Sequence, residues 1–339
     1  MKKLALLLAL LFCLAPAAYA DMDSANEEAA LAAAALSDGQ KELNVFTWTY
    51  YIPDEVVEAF EDATGIRVNY ASMLGNEDVV PKLSTSPGAY DLIVCSDYII
   101  AELAGLGLLD LIDVSALPNY KNVNPAYQSQ YFDPENTYTI PYTNTIPLIV
   151  YNPDAVDFEV KGYADLWRPE FQGRLVTVSE WRNVIGLAQK KLGYSYNDAD
   201  PAHIREVGAE LLALKPNIAV MNDDTPHNAL ISGDAAAGFM YGSQIIAARA
   251  LLPNLKVVYP EEGLGFGIDC IVTPVGSPRK AARDIFMNYL LDGAVSAQTS
   301  ELINYGNCNL AAGDYLSETY LADDTVNVPA DAVAKAEMM

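Results

Sequence analysis

From about residue 42 the apolar positions of this chain switch repeatedly between two periods, which predicts alternating strands and helices. Leu43-Asn44-Val45-Phe46-Thr47 reads as a short apolar strand. Pro53-Asp54-Glu55 and the amphipathic run after it open a helix, so the two form a βα junction. Ile66 to Tyr70 alternates like a strand, and Tyr90-Asp91-Leu92-Ile93-Val94-Cys95 has the continuous apolar character of a fully buried one. Between them a helix starts at Asn76-Glu77-Asp78, carries Val79, Val80 and Leu83, and leaves at Pro87-Gly88.

Tyr138 to Tyr142 breaks the alternation with an extended run, and Leu148-Ile149-Val150-Tyr151 follows as a passage into a second lobe. There the alternation resumes. Strands are expected at Arg174 to Val178, Ile218 to Met221 and Ala237 to Tyr241, with helices from Asn183 to Leu192 and from His203 to Leu214. Phe266-Gly267-Ile268-Asp269-Cys270-Ile271-Val272 is another extended run that carries the chain back. The expected fold is therefore α/β: two lobes of mixed sheet with flanking helices, joined by two hinge crossings. Lobe 1 is assigned residues 42–142 and 269–314, and lobe 2 residues 143–268 and 315–339. Ligands bind at the carboxyl ends of strands in open α/β sheets, and clefts between domains are favoured sites. Trp48-Thr49-Tyr50-Tyr51, at the end of the first strand, and Ser96-Asp97-Tyr98, at the end of the third, are the positions this rule selects.

Before the first strand lies a leader pattern: Lys2 and Lys3, an apolar run from Leu4 to Ala15, and the small-x-small site Ala18-Tyr19-Ala20. The run is shorter than the ~20 residues that span a bilayer. Residues 1–20 are expected to be a cleaved signal peptide, which places the mature protein outside the cytoplasm, and residues 21–41 a flexible or weakly helical tether rich in Ala, Glu, Asp and Ser. The formal charge of −25 becomes −27 once the two leader lysines leave (−25 − 2). That balance argues against nucleic acid or an anionic membrane as the partner and permits a cationic ligand. Cys95, Cys270 and Cys308 remain after the leader, an odd set that allows buried thiols or one Cys270–Cys308 bridge. His203 and His227 have no metal-ligand spacing, and no metal or cofactor is expected.

No catalytic motif stands out. The chain contains no Gly-x-Ser-x-Gly elbow, no phosphate-binding Gly-x-x-x-x-Gly-Lys loop and no His-Glu-x-x-His. Gly263-Leu264-Gly265-Phe266-Gly267 leads into a strand and does not open a helix, unlike a nucleotide cradle. Chance carboxylate pairs are plentiful among 45 acidic residues, so they carry little weight as acid and base.

Seven segments, in order, resemble the spermidine/putrescine-binding proteins of bacterial ABC transporters, a branch of the extracytoplasmic solute-binding proteins. They are Trp48-Thr49-Tyr50-Tyr51-Ile52-Pro53, Thr64 to Val68, Gly88 to Val94, Ile140-Pro141-Tyr142, Trp167 to Gly173, Lys191 to Ser195 and Tyr305 to Ala312. The resemblance runs from about Leu43 to about Leu321 and implies a two-lobed, type II periplasmic-binding-protein-like fold. It also implies a linear polyamine enclosed between the lobes, its amines held by carboxylates and its methylenes by aromatic rings. By resemblance, Trp48 and Tyr51 fall on the first aromatic wall with Thr49 as a hydroxyl contact, and Ser96 and Tyr98 on the second. Glu180 and Asp269 fall on amine-binding positions, Tyr241 on an aromatic position and Tyr305 on a cleft tyrosine. Tyr50, Asp97 and Asn183 are further candidates.

Departures from the family are informative. Asn183 stands where similar spermidine binders carry a second acid, and Gly267 replaces a tryptophan two residues before Asp269. Thr143-Asn144-Thr145 replaces Trp-Gly-Thr, and the chain ends at Met339, before the family's usual C-terminal helix. Asp97 is the candidate to compensate for the missing acid. Fewer acids open the way to a shorter diamine such as putrescine or to a different cationic solute. The expected function is the substrate-binding component of an ABC importer for polyamines, putrescine and/or spermidine, a monomer that closes by hinge motion around the cationic ligand and serves permease and ATPase subunits. The competing readings are a binder or sensor for another small cationic solute and, remotely, a hydrolase using Glu180 and Asp269.

Overall fold

The computed structural model describes residues 16–339, and the expected apolar leader run from Leu4 to Ala15 lies outside them. Along the chain come helix α1 (Pro16–Ala33), strand β1 (Glu42–Thr47), α2 (Asp54–Thr64), β2 (Arg67–Ser72), α3 (Val79–Thr85), β3 (Leu92–Ser96) and α4 (Asp97–Gly105). Next are β4 (Thr139–Thr145), β5 (Pro147–Tyr151), β6 (Leu175–Thr177), α5 (Trp181–Lys191), α6 (Pro201–Leu214), β7 (Ile218–Met221) and α7 (His227–Ser232). Then follow β8 (Ala237–Tyr241), α8 (Gly242–Arg249), β9 (Lys256–Val258), β10 (Gly265–Val272), α9 (Lys280–Leu290) and α10 (Gly293–Ile303).

The chain divides into two units. The first comprises the described residues up to Thr143, Ile268–Ile303 and Asn307–Glu318; the second comprises Asn144–Gly267, Asn304–Gly306 and Thr319–Met339.

In the first unit the strand order is β4-β10-β3-β1-β2. β1 lies parallel to β2 and β3, while β10 runs antiparallel to β3. The register of that antiparallel pair sets Asp269 opposite Ser96 and Cys270 opposite Cys95. All of β3 except Ser96 is buried, as its unbroken apolar sequence requires. α2 packs Val56, Val57 and Phe60 inward, and Gly65, at φ +67°, ends it in the left-handed conformation that glycine adopts without penalty. Phe60 meets Phe286 and Tyr289 of α9 at ring-centroid distances of 4.7 and 5.1 Å.

Residues 21–33, expected to be part of a flexible or weakly helical tether, are helical, and they are packed rather than free-standing: Met22, Ala25, Ala29 and Ala33 are all buried. Their spacing of three and four residues is a helical stripe. It is built mostly from alanines, so composition alone conceals it. The expected cleavage motif Ala18-Tyr19-Ala20 falls in the first turns of this helix.

In the second unit the strand order is β7-β6-β8-β5-β9, with β6 parallel to β7 and β8, and β5 antiparallel to β8 and β9. Its core centres on Leu148, Val150, Tyr163, Phe171, Val176 and Phe239. α5 and α6 both start on side-chain caps, Glu180 and Asp200, whose carboxylates accept from backbone N–H groups of the first turn. Among the described residues Cys95, Cys270 and Cys308 are buried and in no disulfide, so Cys270 and Cys308 are not bridged.

Candidate ligand-binding site

In the first unit the site grows from the register of β3 and β10. Ser96 and Asp269 are cross-strand partners, so their side chains stand on the same face, and Ser96 Oγ donates to Asp269 Oδ1 at 2.6 Å. The other carboxylate oxygen, Oδ2, accepts from the Tyr51 hydroxyl. That hydroxyl has one proton, so it accepts in turn from Thr143 Oγ1 at 2.8 Å. On the Ser96 side, Asn76 Nδ2 donates to Ser96 Oγ at 3.1 Å and to the Tyr98 hydroxyl at 3.0 Å, while Asn76 Oδ1 accepts from Ser96 N at 2.9 Å. Two files of neutral groups thus converge on one carboxylate.

Asp269 is 5% exposed, and among the described residues no ion pair reaches it. Burial pushes its carboxyl above the ordinary range, against the opposing effect of the Ser96 and Tyr51 hydrogen bonds. A carboxylate offers about four lone-pair sites and two are used here, so it retains capacity for further donors. The walls are aromatic. Half-buried Trp48 meets Tyr51 edge-on at 5.0 Å, and Tyr51 lies 6.0 Å from Tyr142, whose hydroxyl donates to the Tyr51 carbonyl at 3.1 Å.

The remaining first-unit candidates point elsewhere. Asp97 is buried, and its Oδ2 accepts from Ile268 N at 2.9 Å, so it anchors the strand that carries Asp269. Thr49 is exposed and donates to Ser72 Oγ at 3.1 Å. Tyr50 takes the left-handed conformation, φ +59°, and donates to Glu55 at 3.1 Å. A tyrosine rarely adopts that backbone, and the turn it makes places Tyr51 beside Trp48. Ser96 stands at the N-cap of α4 without capping it, because its hydroxyl serves Asp269.

In the second unit the candidates cluster around the first turn of α5 and the end of β8. Glu180 caps α5, accepting from Arg182 N at 3.1 Å and Asn183 N at 2.9 Å. Asn183 is 1% exposed; its Nδ2 donates to the Tyr241 hydroxyl at 2.7 Å, and its Oδ1 has no hydrogen-bond partner among the described residues. The rings of Tyr241 and Tyr305 meet edge-on at 6.2 Å. Asp223 fixes the approach to α5, accepting from Ser179 N at 2.7 Å and Glu180 N at 3.2 Å, and its carbonyl accepts from Gln244 Nε2 at 2.5 Å.

Asn76, Thr143 and Asp223 organise these groups, and sequence reasoning did not select them as site residues. In the sequence Asn76 marks only a helix start, and its burial shows only once the chain is folded.

A family model described as bacterial extracellular solute-binding protein matches residues 55–328. The chain is 37% identical over 306 residues to the spermidine/putrescine-binding periplasmic protein of Escherichia coli (strain K12), covering 90% of this chain and 88% of that protein. It is 28% identical to a putrescine/cadaverine-binding protein of Pseudomonas aeruginosa, with 83% of each covered. Among solved structures it is similar to a spermidine/putrescine ABC transporter substrate-binding protein from Streptococcus pneumoniae. That likeness has a TM-score of 0.77 and 29% identity, and covers 88% of this chain and 92% of that one.

Proposed function

This chain belongs to the bacterial extracellular solute-binding protein family, and we propose that it is the substrate-binding component of an ABC importer for a short linear polyamine. Asp269 is the observation that carries the reading. A buried carboxylate whose neighbours are neutral hydroxyls lacks a countercharge, and an ammonium group supplies one together with three N–H donors. Trp48, Tyr51 and Tyr98 offer ring faces and hydroxyls to the methylenes and to the cation, where each cation–ring contact is worth about 0.5–2 kcal/mol.

Glu180, Tyr241 and Tyr305 are proposed as further ligand contacts, with Thr49, Tyr50 and Asp97 outside direct contact. Asn183 supports a diamine over a triamine. A neutral amide with a buried, unpartnered Oδ1 accepts one hydrogen bond from an amine without adding the charge that a longer polyamine would need. The protein is read as a monomeric binder without turnover, exported after cleavage behind Ala20, and without nucleic acid as a partner.

Calorimetric titration of the mature protein with putrescine, cadaverine, spermidine, spermine and unrelated amino acids tests this reading. Heat of binding is expected for at least one diamine and for none of the amino acids, and its loss is expected in Asp269→Ala. Silence toward every polyamine overturns the ligand class, while undiminished binding in the variant overturns the site.

A further inference from the structure

The register that makes the ligand carboxylate also pairs two cysteines. Cys270 follows Asp269 on β10 and Cys95 precedes Ser96 on β3, and the two are direct antiparallel partners. Side chains alternate across a strand, so if Asp269 and Ser96 share one face of the sheet, Cys270 and Cys95 share the other. Directly opposed residues in an antiparallel ladder have Cα atoms about 4.5–5.5 Å apart, inside the roughly 4.4–6.8 Å that a disulfide spans. Both residues are buried and both are free thiols. Cys308 is the third thiol of this unit, buried on the segment that follows α10, and its carbonyl accepts from Asn124 N at 2.9 Å.

We propose that Cys95 and Cys270 are a latent cross-strand disulfide, a redox-dependent staple behind the Ser96–Asp269 pair. Its formation joins the two sulfurs while each thiol gives up one proton and one electron. The oxidant is the disulfide of a thiol–disulfide oxidoreductase, which leaves as a dithiol after a mixed-disulfide intermediate. Timing follows from burial. The thiolate is the attacking species, and burial raises both thiols well above their ordinary range, so the folded reduced protein is inert. The bond therefore forms while β3 and β10 are coming together, when the sulfurs are exposed but the register is already set. Once made, it locks the two strands that hold Ser96 against Asp269. The proposal takes from the export reading only the source of the oxidant.

The experiment is to refold the reduced, urea-unfolded protein with and without a thiol–disulfide oxidoreductase, alkylate, and map the peptides by mass. With the oxidant, two of the three thiols are expected to escape alkylation as a linked Cys95–Cys270 peptide pair, while Cys308 is alkylated; the oxidised protein should unfold at a higher urea midpoint. Cys308→Ser should keep the link and the midpoint shift, and Cys95→Ser should lose both. A Cys270–Cys308 peptide, or three alkylated thiols after oxidative refolding, overturns the proposal. Treating the folded reduced protein with the same oxidant is a second check, and rapid linkage there overturns the timing. Mapping needs no ligand, so a failure of polyamine binding leaves this result standing on its own.

Discussion

Asp269 holds its proton more tightly folded than unfolded, because burial raises its carboxyl above the usual range. Linkage gives the sign: the contribution of such a group to stability is complete below the unfolded value of about 3.9 and is lost as pH rises through the folded value. Asp269→Asn removes the titration while keeping the shape. Its urea midpoint should match wild type in acid and equal or exceed it near neutrality, and polyamine affinity should fall by about 2–5 kcal/mol, some 30-fold or more. Urea titrations at the two pH values and calorimetry check both arms; a midpoint difference that ignores pH removes Asp269 as its source. Glu180 needs a different separation, because the same carboxylate caps α5. Serine is a favoured N-cap, whereas alanine there costs about 0.5–2 kcal/mol. Glu180→Ser should therefore keep stability within about 0.5 kcal/mol and still weaken ligand binding, and Glu180→Ala should lose both. The candidate role of Asp269 was legible in the sequence, since an acid interrupting an apolar strand demands a partner. The organisers were not: Asn76 lies 20 residues from Ser96 and Thr143 lies 92 from Tyr51, separations that no local pattern encodes.

At the scale of elements, helix α5 carries a glycine in its interior, where alanine is normally better by about 1 kcal/mol. The reason lies outside the helix. A Cβ on Gly186 would come within 1.9 Å of the Tyr196 ring, and Tyr196 is buried with its hydroxyl 2.9 Å from that of Tyr163. Gly186→Ala should therefore destabilise by about 1–3 kcal/mol despite its better helix propensity. Urea denaturation measures it, and the double variant Gly186→Ala/Tyr196→Leu should recover part of the loss; a neutral single variant removes the packing argument. Strands with strong apolar signatures, such as β3, β6 and β8, and the amphipathic α5 and α6 were readable because period and burial coincide there. α1 was not. Its buried stripe after Met22 is alanine, and only contact with the rest of its unit shows that small side chains serve close packing there and not flexibility.

At the scale of the whole molecule, 45 acidic against 20 basic residues surround a protein whose proposed ligand is a small cation. The α/β class and the family were legible because strand ends, turns and motif order survive in one dimension. The charge was equally legible, but its role was not, since acidity serves solubility as readily as recognition. Kinetics distinguishes them. Long-range attraction acts on encounter and is screened: the Debye length falls from about 30 Å at 0.01 M salt to about 3 Å at 1 M. Contacts to a buried carboxylate are screened much less and govern departure. Between these two salt concentrations the association rate of a diamine, followed by stopped-flow tryptophan fluorescence, should fall at least about tenfold, while the dissociation rate changes by less than a few-fold. In Asp269→Asn this salt pattern should persist, because the distant acids remain, while dissociation accelerates at every salt concentration. Equal salt sensitivity of both rates places the binding contacts in open solvent, and a salt-independent association rate reduces the acidity to a device for solubility alone.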